Sequence, residues 1–300
     1  MKKDSSFTKG LLIDAITYIC ALGLGIIPFI FINNLFAATA ALTSVATVVI
    51  FIVSVLFADV SIYDPYWSVA PPIMILAVMI KYDYWTVNSI ILFVLICIWA
   101  IRLTANWLYT YKGIGHEDWR YATYRKKHSP FVFQLINLIG LQFVPTIVVY
   151  LGLSGGLFAL QETAFKPLSV IGILIMLGAV LLAFLADSAI HKFLREHKGE
   201  GRTCNISVWK YSRHPNYLGE MSFWTGMYFY FVAVCPQIWY KGLGFLTIIL
   251  LFFTVSIPMM EKHNMERRCD YAEYKAKTSI LLLLPQRKKE SPEKETENKI

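Results

Sequence analysis

Long apolar runs recur along this chain from one end to the other, and they constrain its fold more than any other feature. Of the 300 residues, 56% are hydrophobic and only 16% are charged, whereas a soluble domain has about 25% charged residues. A helix satisfies its own backbone hydrogen bonds in hydrocarbon, and about 20 apolar residues suffice to cross a bilayer. The sequence therefore predicts an all-α polytopic membrane protein.

Eight segments have the length and apolarity expected of membrane-spanning helices. They are 11–32, 35–58, 66–80, 84–109, 131–151, 167–190, 215–235 and 243–260. The third segment is short and contains a Pro-Pro pair, so seven spans result if it does not cross. We expect a bundle of seven to eight transmembrane helices in one domain, 1–285, followed by a charged tail, 286–300, that is too polar to bury a core and should be disordered.

Lysine and arginine are unevenly distributed between the predicted loops. The segments 112–130 and 191–214 are rich in both, and the C-terminal tail is basic, whereas the intervening loops carry single lysines. Basic loops remain on the cytoplasmic side of a membrane, so eight spans place these loops and both termini in the cytoplasm. The net charge of +8 then reflects membrane topology, and we expect no nucleic-acid partner.

The densest polar run beside a predicted span is Tyr211–Glu220, with the sequence YSRHPNYLGE. Proline suits the first turn of a helix, so Pro215 should begin a span with Arg213 and His214 just outside it. Free amides and partial positive charge make a helix N-terminus an anion site, for which phosphate is a natural ligand. The alternative is that this run is only a polar turn at the membrane interface. That alternative explains Glu220 least well, because Glu220 lies inside the predicted span.

Two further groups of polar residues follow helical spacing. Asp187, His191 and Arg195 share one helical face, although a snorkelling helix end explains them equally well. Glu261 precedes a second group beyond the last span, which consists of Arg267, Arg268, Tyr271 and Tyr274. Taken alone, that group is typical of an amphipathic helix on a membrane surface.

Several common site motifs are absent from the sequence. Without GxGxxG or GxxxxGK[ST], neither a Rossmann nor a P-loop nucleotide site is expected. Without GxSxG or HExxH, a serine hydrolase or a zincin is disfavoured. The five cysteines have neither CxxC nor metal-ligand spacing, so we predict no metal site and no structural disulfide.

The segment Ser212–Glu220 resembles the steroid 5-alpha-reductase C-terminal-domain family, in its bacterial branch of membrane proteins. The resemblance extends over about 60–285 through Asp64–Trp67, Trp99–Leu103, His116–Tyr121 and Pro258–Glu261. Membrane methyltransferases that act on isoprenylcysteine or phospholipid are distantly similar, because they share an RHPxYxG element. The Asn-Tyr-Leu-Gly-Glu sequence and the Glu-Asp-Trp-Arg-Tyr block favour the reductases.

This resemblance implies a helical bundle with NADPH in a cytosol-facing cavity and a hydrophobic, sterol-like or other lipid enone entering from the bilayer. The positions it implies on the cofactor side are Asp187, Arg195, Asn205, Arg213, His214, Asn216, Tyr217 and Glu220. Those implied to close the cavity are Arg267, Arg268, Tyr271 and Tyr274. Ser207 and Val208 depart from the expected Gly-Leu, which weakens the assignment of Asn205. The implied location is a bacterial inner membrane, with lipids but no obligate protein as partners.

Hydride transfer to an enone builds negative charge on the carbonyl oxygen, which an acid must stabilise. Tyr63, Asp64 and Glu117 are the candidate acids, and Glu220 is the candidate residue at the nicotinamide end. Two alternatives remain: an S-adenosylmethionine-dependent methyltransferase, and a lipid-binding membrane protein without catalysis. A sulfonium is bound by carboxylates and aromatic rings, and phosphates by arginines. The arginines that favour NADPH are Arg195, Arg202, Arg213, Arg267 and Arg268.

Overall fold

A computed structural model of the chain describes residues 5–287. Helices α1 to α4 are Ser5–Phe31, Leu35–Leu56, Tyr66–Tyr82 and Val87–Thr110. Helices α5 to α8 are Trp119–Lys127, Pro130–Leu135, Val144–Ala159 and Ser169–Glu196. Helices α9 to α12 are Pro215–Val234, Phe245–Leu251, Ile257–Arg267 and Tyr271–Lys277. No β-strand occurs between residues 5 and 287, so the predicted all-α polytopic membrane fold is confirmed.

Six helical segments within the described residues are long and apolar enough to cross a membrane. They are Ser6–Phe31, Leu35–Leu56, Val87–Thr110, Pro130–Ala159, Ser169–Glu196 and Pro236–Arg267. The other two predicted spans are also helices, but α3 has only 17 residues and α9 carries polar residues in its first turns. A count of seven or eight spans therefore stays a prediction.

Two of the six segments contain a wider helical turn. Helices α6 and α7 are joined by the π-helical turn Ile136–Phe143, and α10 and α11 are joined by Phe252–Ser256. Such turns re-aim the side chains that follow, and they are frequent at functional sites.

The chain folds into two compact units. The first consists of the chain up to Met176 together with Trp224–Ile248, and the second of Leu177–Phe223 together with the chain from Ile249. Of the predicted tail, only Gln286 and Arg287 lie within the described residues. The Gln286 amide donates to Asn205 at 2.8 Å, and the Arg287 N–H donates to the Lys277 carbonyl at 3.0 Å.

In the first unit, buried polar side chains connect α2 to the Pro130–Ala159 segment. Thr47 and Thr146 share a hydrogen bond of 3.0 Å. The Gln142 and Asn137 amides both donate to the Ser54 hydroxyl, at 3.0 and 3.2 Å. Polar contacts of this kind hold helices together in hydrocarbon, where apolar contact alone gives little preference.

In the second unit, α8 and α9 approach closely because a glycine lies between them. A Cβ added at Gly219 would lie 2.8 Å from both the Ala179 carbonyl oxygen and the Ala183 Cβ. The Trp209 indole also donates to the Ala186 carbonyl at 2.8 Å. The turn before α9 is thereby attached to α8.

Candidate functional site

The second unit contains the start of α9, where the sequence predicts an anion site. Helix α9 begins at Pro215, as predicted. The preceding turn is held by the C-terminal segment: the Arg213 N–H donates to the Ser279 carbonyl at 2.9 Å. The Ser212 hydroxyl donates to the Leu281 carbonyl at 2.7 Å and accepts the His214 N–H at 3.2 Å. These hydrogen bonds therefore fix the conformation of the turn.

Four side chains converge on the buried carboxylate of Glu261. Its Oε1 accepts hydrogen bonds from Tyr271 at 2.7 Å, Arg213 Nε at 2.9 Å and His214 Nε2 at 3.0 Å. The Lys275 ammonium lies 3.0 Å from its Oε2. A buried charge is stable only when it is paired and hydrogen-bonded. Here the two positive charges of Arg213 and Lys275 exceed the single negative charge of Glu261. We call these five residues the Glu261 cluster.

Arg213, which the sequence predicts to be an interfacial phosphate ligand, is held by protein acceptors, and its role in binding a cofactor stays a prediction. Its side chain is only 9% exposed, and Nη1 donates to the carbonyls of Lys275 at 2.7 Å and Thr278 at 3.0 Å. With Nε bound to Glu261, two of its three nitrogens are committed to protein acceptors. Arg213 is therefore part of the scaffold that holds α12 against the start of α9.

Tyr271 and Tyr274 contribute to the same scaffold. Burial raises the pKa of Tyr271, and its hydrogen bond to Glu261 raises it further. Burial likewise raises the pKa of Tyr274, whose hydroxyl lies 2.6 Å from the Trp209 carbonyl and 3.0 Å from that of Ser212. Both phenols remain neutral: Tyr271 donates to Glu261, and Tyr274 fixes the turn before α9.

The remaining cofactor-side candidates differ in how far solvent reaches them. Arg195, Asn205 and Arg267 are exposed; Asn216, Tyr217 and Arg268 are half-buried; Asp187 and Glu220 are buried. Arg268 donates through Nε to Asn264 at 3.1 Å and through Nη1 to the Arg202 carbonyl at 2.8 Å. The exposed cations Arg195 and Arg267 are therefore the arginines of this set that a dissolved anion reaches most readily.

The three candidate acids lie in the first unit and differ in their capacity to donate a proton. Glu117 forms an ion pair with Arg125 at 2.6 Å and accepts the Val60 N–H at 3.1 Å, so its carboxylate is occupied by protein donors. Burial raises the pKa of Asp64 to about 6, although Arg120 and the Tyr121 hydroxyl act in the opposite direction. Asp64 therefore holds a proton over a wider pH range than an ordinary aspartate.

Tyr63 borders a small cavity in the first unit. Five hydroxyl-bearing residues line it, namely Thr43, Tyr63, Tyr66, Thr146 and Tyr150, and most of the other lining residues are apolar. We call it the hydroxyl-lined cavity. The Tyr63 hydroxyl lies 2.8 Å from Thr146 Oγ1.

Sequence reasoning missed two features of these sites. It treated Glu261 as part of a possible surface helix, whereas the carboxylate is the buried centre of a cluster that includes Lys275. It also overlooked the spacing of Thr39, Thr43 and Thr47, whose buried side chains lie four residues apart on α2. That spacing was a readable signal for one polar face inside a membrane helix.

Comparison with known families gives one match. Residues 50–278, most of the chain, match the family described as "Protein of unknown function (DUF1295)". Comparisons with curated proteins and with solved structures find no match.

Proposed function

We propose that this chain, which belongs to the DUF1295 family of proteins of unknown function, is a membrane oxidoreductase that uses NADPH to reduce the double bond of a hydrophobic enone. The basic loops support a cytoplasmic cofactor side, and the resemblance described above supports a bacterial inner membrane as its location. The single observation that carries the proposal is the Glu261 cluster at the start of α9.

The residues of the second unit fit an anionic dinucleotide. Arg213 and Lys275 surround only one carboxylate, Glu261, so the cluster keeps an excess of positive charge beside the positive end of a 20-residue helix. The Lys275 side chain is 44% exposed and can reach a phosphate. Arg195 and Arg267, both exposed, add charge that the phosphates require.

When bound, NADPH supplies the hydride, and the protein supplies orientation and electrostatic stabilisation. Glu220 is buried about one and a half turns inside α9, where it would orient the nicotinamide amide through hydrogen bonds. Asp64 is the preferred proton donor of the three candidates, because burial raises its pKa to about 6 and it therefore carries a proton more often near neutral pH than an ordinary aspartate does. In this assignment Glu117 holds Arg125 in place.

The proposal is tested by NADPH binding to the full chain in nanodiscs, with two lysines of α12 as a matched pair. Lys275→Gln removes a cation of the Glu261 cluster. A hydrogen bond to a charged group contributes about 1.5–3 kcal/mol, so we expect the Kd for NADPH to rise about 10- to 100-fold. Lys277→Gln should leave it unchanged, because Lys277 pairs with Glu273 on the same helix.

Three controls make the result specific. NADH should bind more weakly than NADPH to the unmodified chain, because it lacks the additional ribose phosphate. The melting temperature of each variant without cofactor separates binding loss from unfolding. Loss of NADPH absorbance should require an added hydrophobic cyclic enone. An unmodified chain that binds S-adenosylmethionine and not NADPH would replace the proposal with the methyltransferase alternative.

A further inference from the structure

An exposed apolar segment follows helix α12 and has no role in the sites described so far. Residues 280–284 are an isoleucine followed by four leucines, and we call them the leucine segment. The side chains of Ile280, Leu282, Leu283 and Leu284 are between 41% and 58% exposed. A contiguous group of exposed apolar side chains marks a surface that contacts lipid or another protein.

Helix α8 shows where the cytoplasmic edge of the hydrocarbon lies in the second unit. Its first part, 169–186, carries no charged residue, whereas its last part, 187–196, carries acidic and basic residues. At about 1.5 Å per residue the uncharged part is about 27 Å long, close to the roughly 30 Å thickness of the hydrocarbon. The loop that follows α8 is basic and is assigned to the cytoplasm. Ala186 therefore marks the cytoplasmic edge.

Hydrogen bonds place the leucine segment at the same depth as Ala186. The Trp209 indole donates to the Ala186 carbonyl at 2.8 Å, and tryptophan is typical of the membrane–water interface. In the same turn before α9, the Tyr211 carbonyl accepts the Leu284 N–H at 3.1 Å. The leucine segment therefore lies at the membrane interface, beside the start of α9.

The charge around the leucine segment complements an anionic lipid surface. No acidic residue occurs in 201–219 or in 274–289, the two stretches that contain the turn before α9 and the leucine segment. Lys210 in that turn and Arg287 just after the leucine segment are both exposed. Each basic residue near the cytoplasmic surface strengthens the attraction to its anionic lipids about fivefold.

We infer that the leucine segment inserts into the cytoplasmic leaflet, at the boundary between headgroups and acyl chains, and that Lys210 and Arg287 contact anionic headgroups. Apolar side chains accompanied by basic ones bind at this boundary, about 5–10 Å deep. Lipid is the partner because it surrounds the exposed side chains of a membrane protein at this depth. The insertion attaches the turn before α9 to the membrane surface. The inference does not depend on NADPH or on the proposed reduction.

The test measures the depth of a spin label on the full chain, in vesicles of equal parts phosphatidylcholine and phosphatidylglycerol. The five native cysteines are replaced, and a single cysteine at Leu283 carries a nitroxide. Oxygen concentrates in hydrocarbon and a neutral nickel chelate in water, so the two collision rates report depth. Two exposed sites calibrate them: Leu181 in the uncharged part of α8, and Lys198 beyond its end.

We expect the label at Leu283 to lose most of the nickel collisions measured at Lys198 and to gain oxygen collisions, as at Leu181. If the protein labelled at Leu283 does not fold, the exposed Leu282 serves for the same measurement. Collision rates equal to those at Lys198 would place the segment in water and overturn the inference. A label shielded from both reagents, or broadened by the label of a second copy, would show that protein covers the segment and would also overturn it.

The same label tests the contribution of charge. Vesicles of phosphatidylcholine alone should raise the nickel collision rate at Leu283, and Lys210→Gln combined with Arg287→Gln should remove this dependence on lipid. Each neutralised residue should shift the ratio of inserted to withdrawn segment about fivefold towards the withdrawn form. Lys198→Gln is the matched control and should keep the dependence. A nickel collision rate that is the same in both kinds of vesicle would overturn the assignment of anionic lipid as the partner.

Discussion

Glu261 illustrates at the scale of one residue how a carboxylate is stabilised inside this protein. Its side chain is 9% exposed, and it is surrounded by donors from the turn before α9 and from α12. The cluster is thus a structural contact between segments far apart in the chain, in addition to any role in binding. Removing its negative charge tests that structural role directly.

We predict that Glu261→Gln destabilises the protein by about 3–5 kcal/mol, because the buried cation Arg213 loses its countercharge. The measurement is the melting temperature in detergent. Glu266→Gln is the matched control, since Glu266 is exposed on the same helix, α11, and its replacement should have little effect. Equal melting temperatures for the two variants would contradict a structural role for the cluster.

At the scale of the helix, the packing of α8 against α9 depends on Gly219, which has no side chain. Gly219 allows the two backbones to approach, and any Cβ there meets the Ala179 carbonyl and the Ala183 methyl group at 2.8 Å. Backbone atoms cannot move aside as the end of a flexible side chain can. Gly178, by contrast, is an exposed glycine of α8 with open space around its Cβ position.

We expect Gly219→Ala to cost about 1–3 kcal/mol through overpacking. Gly178→Ala should be neutral or stabilise by up to about 1 kcal/mol, because alanine loses less backbone entropy than glycine in a helix. Thermal unfolding in detergent compares the two. If Gly219→Ala were as stable as Gly178→Ala, the close approach of α8 and α9 described above would be wrong.

The membrane topology belongs to the scale of the whole molecule. The loops 112–130 and 191–214 are both basic, and the rule for cytoplasmic loops assigns them to one side. The α3 segment has 17 residues and lies outside both loops, so whether it crosses changes the position of the N-terminus but leaves these two loops together.

We predict that single cysteines at Ser129 and Lys198, both exposed, react with a membrane-impermeant maleimide from the same, cytoplasmic side. The protein for this test has its five native cysteines replaced. A third cysteine at Ser291, beyond the described residues, should behave like the other two. Reaction of Ser129 and Lys198 from opposite faces of sealed vesicles would disprove the topology.

The start of α9 could be anticipated from local sequence. Pro215 begins its helix because the residue has no N–H to leave unpaired, and this depends on nothing distant in the chain. The acidic and basic residues near α9 could also be identified in the sequence. Their partners were not, because Glu261 and Arg213 are 48 residues apart and only folding determines which of several nearby cations a carboxylate meets.

The sequence by itself determined the class of fold, because hydrocarbon permits few backbone conformations and an apolar run of sufficient length specifies a helix. Tertiary structure decided what the polar residues do. It made Arg213 part of a scaffold, it paired Glu117 with Arg125, and it brought Thr47, Thr146 and Tyr63 into one chain of hydrogen bonds. Local pattern cannot specify these outcomes, because the partners of these polar side chains are supplied by segments distant in the sequence.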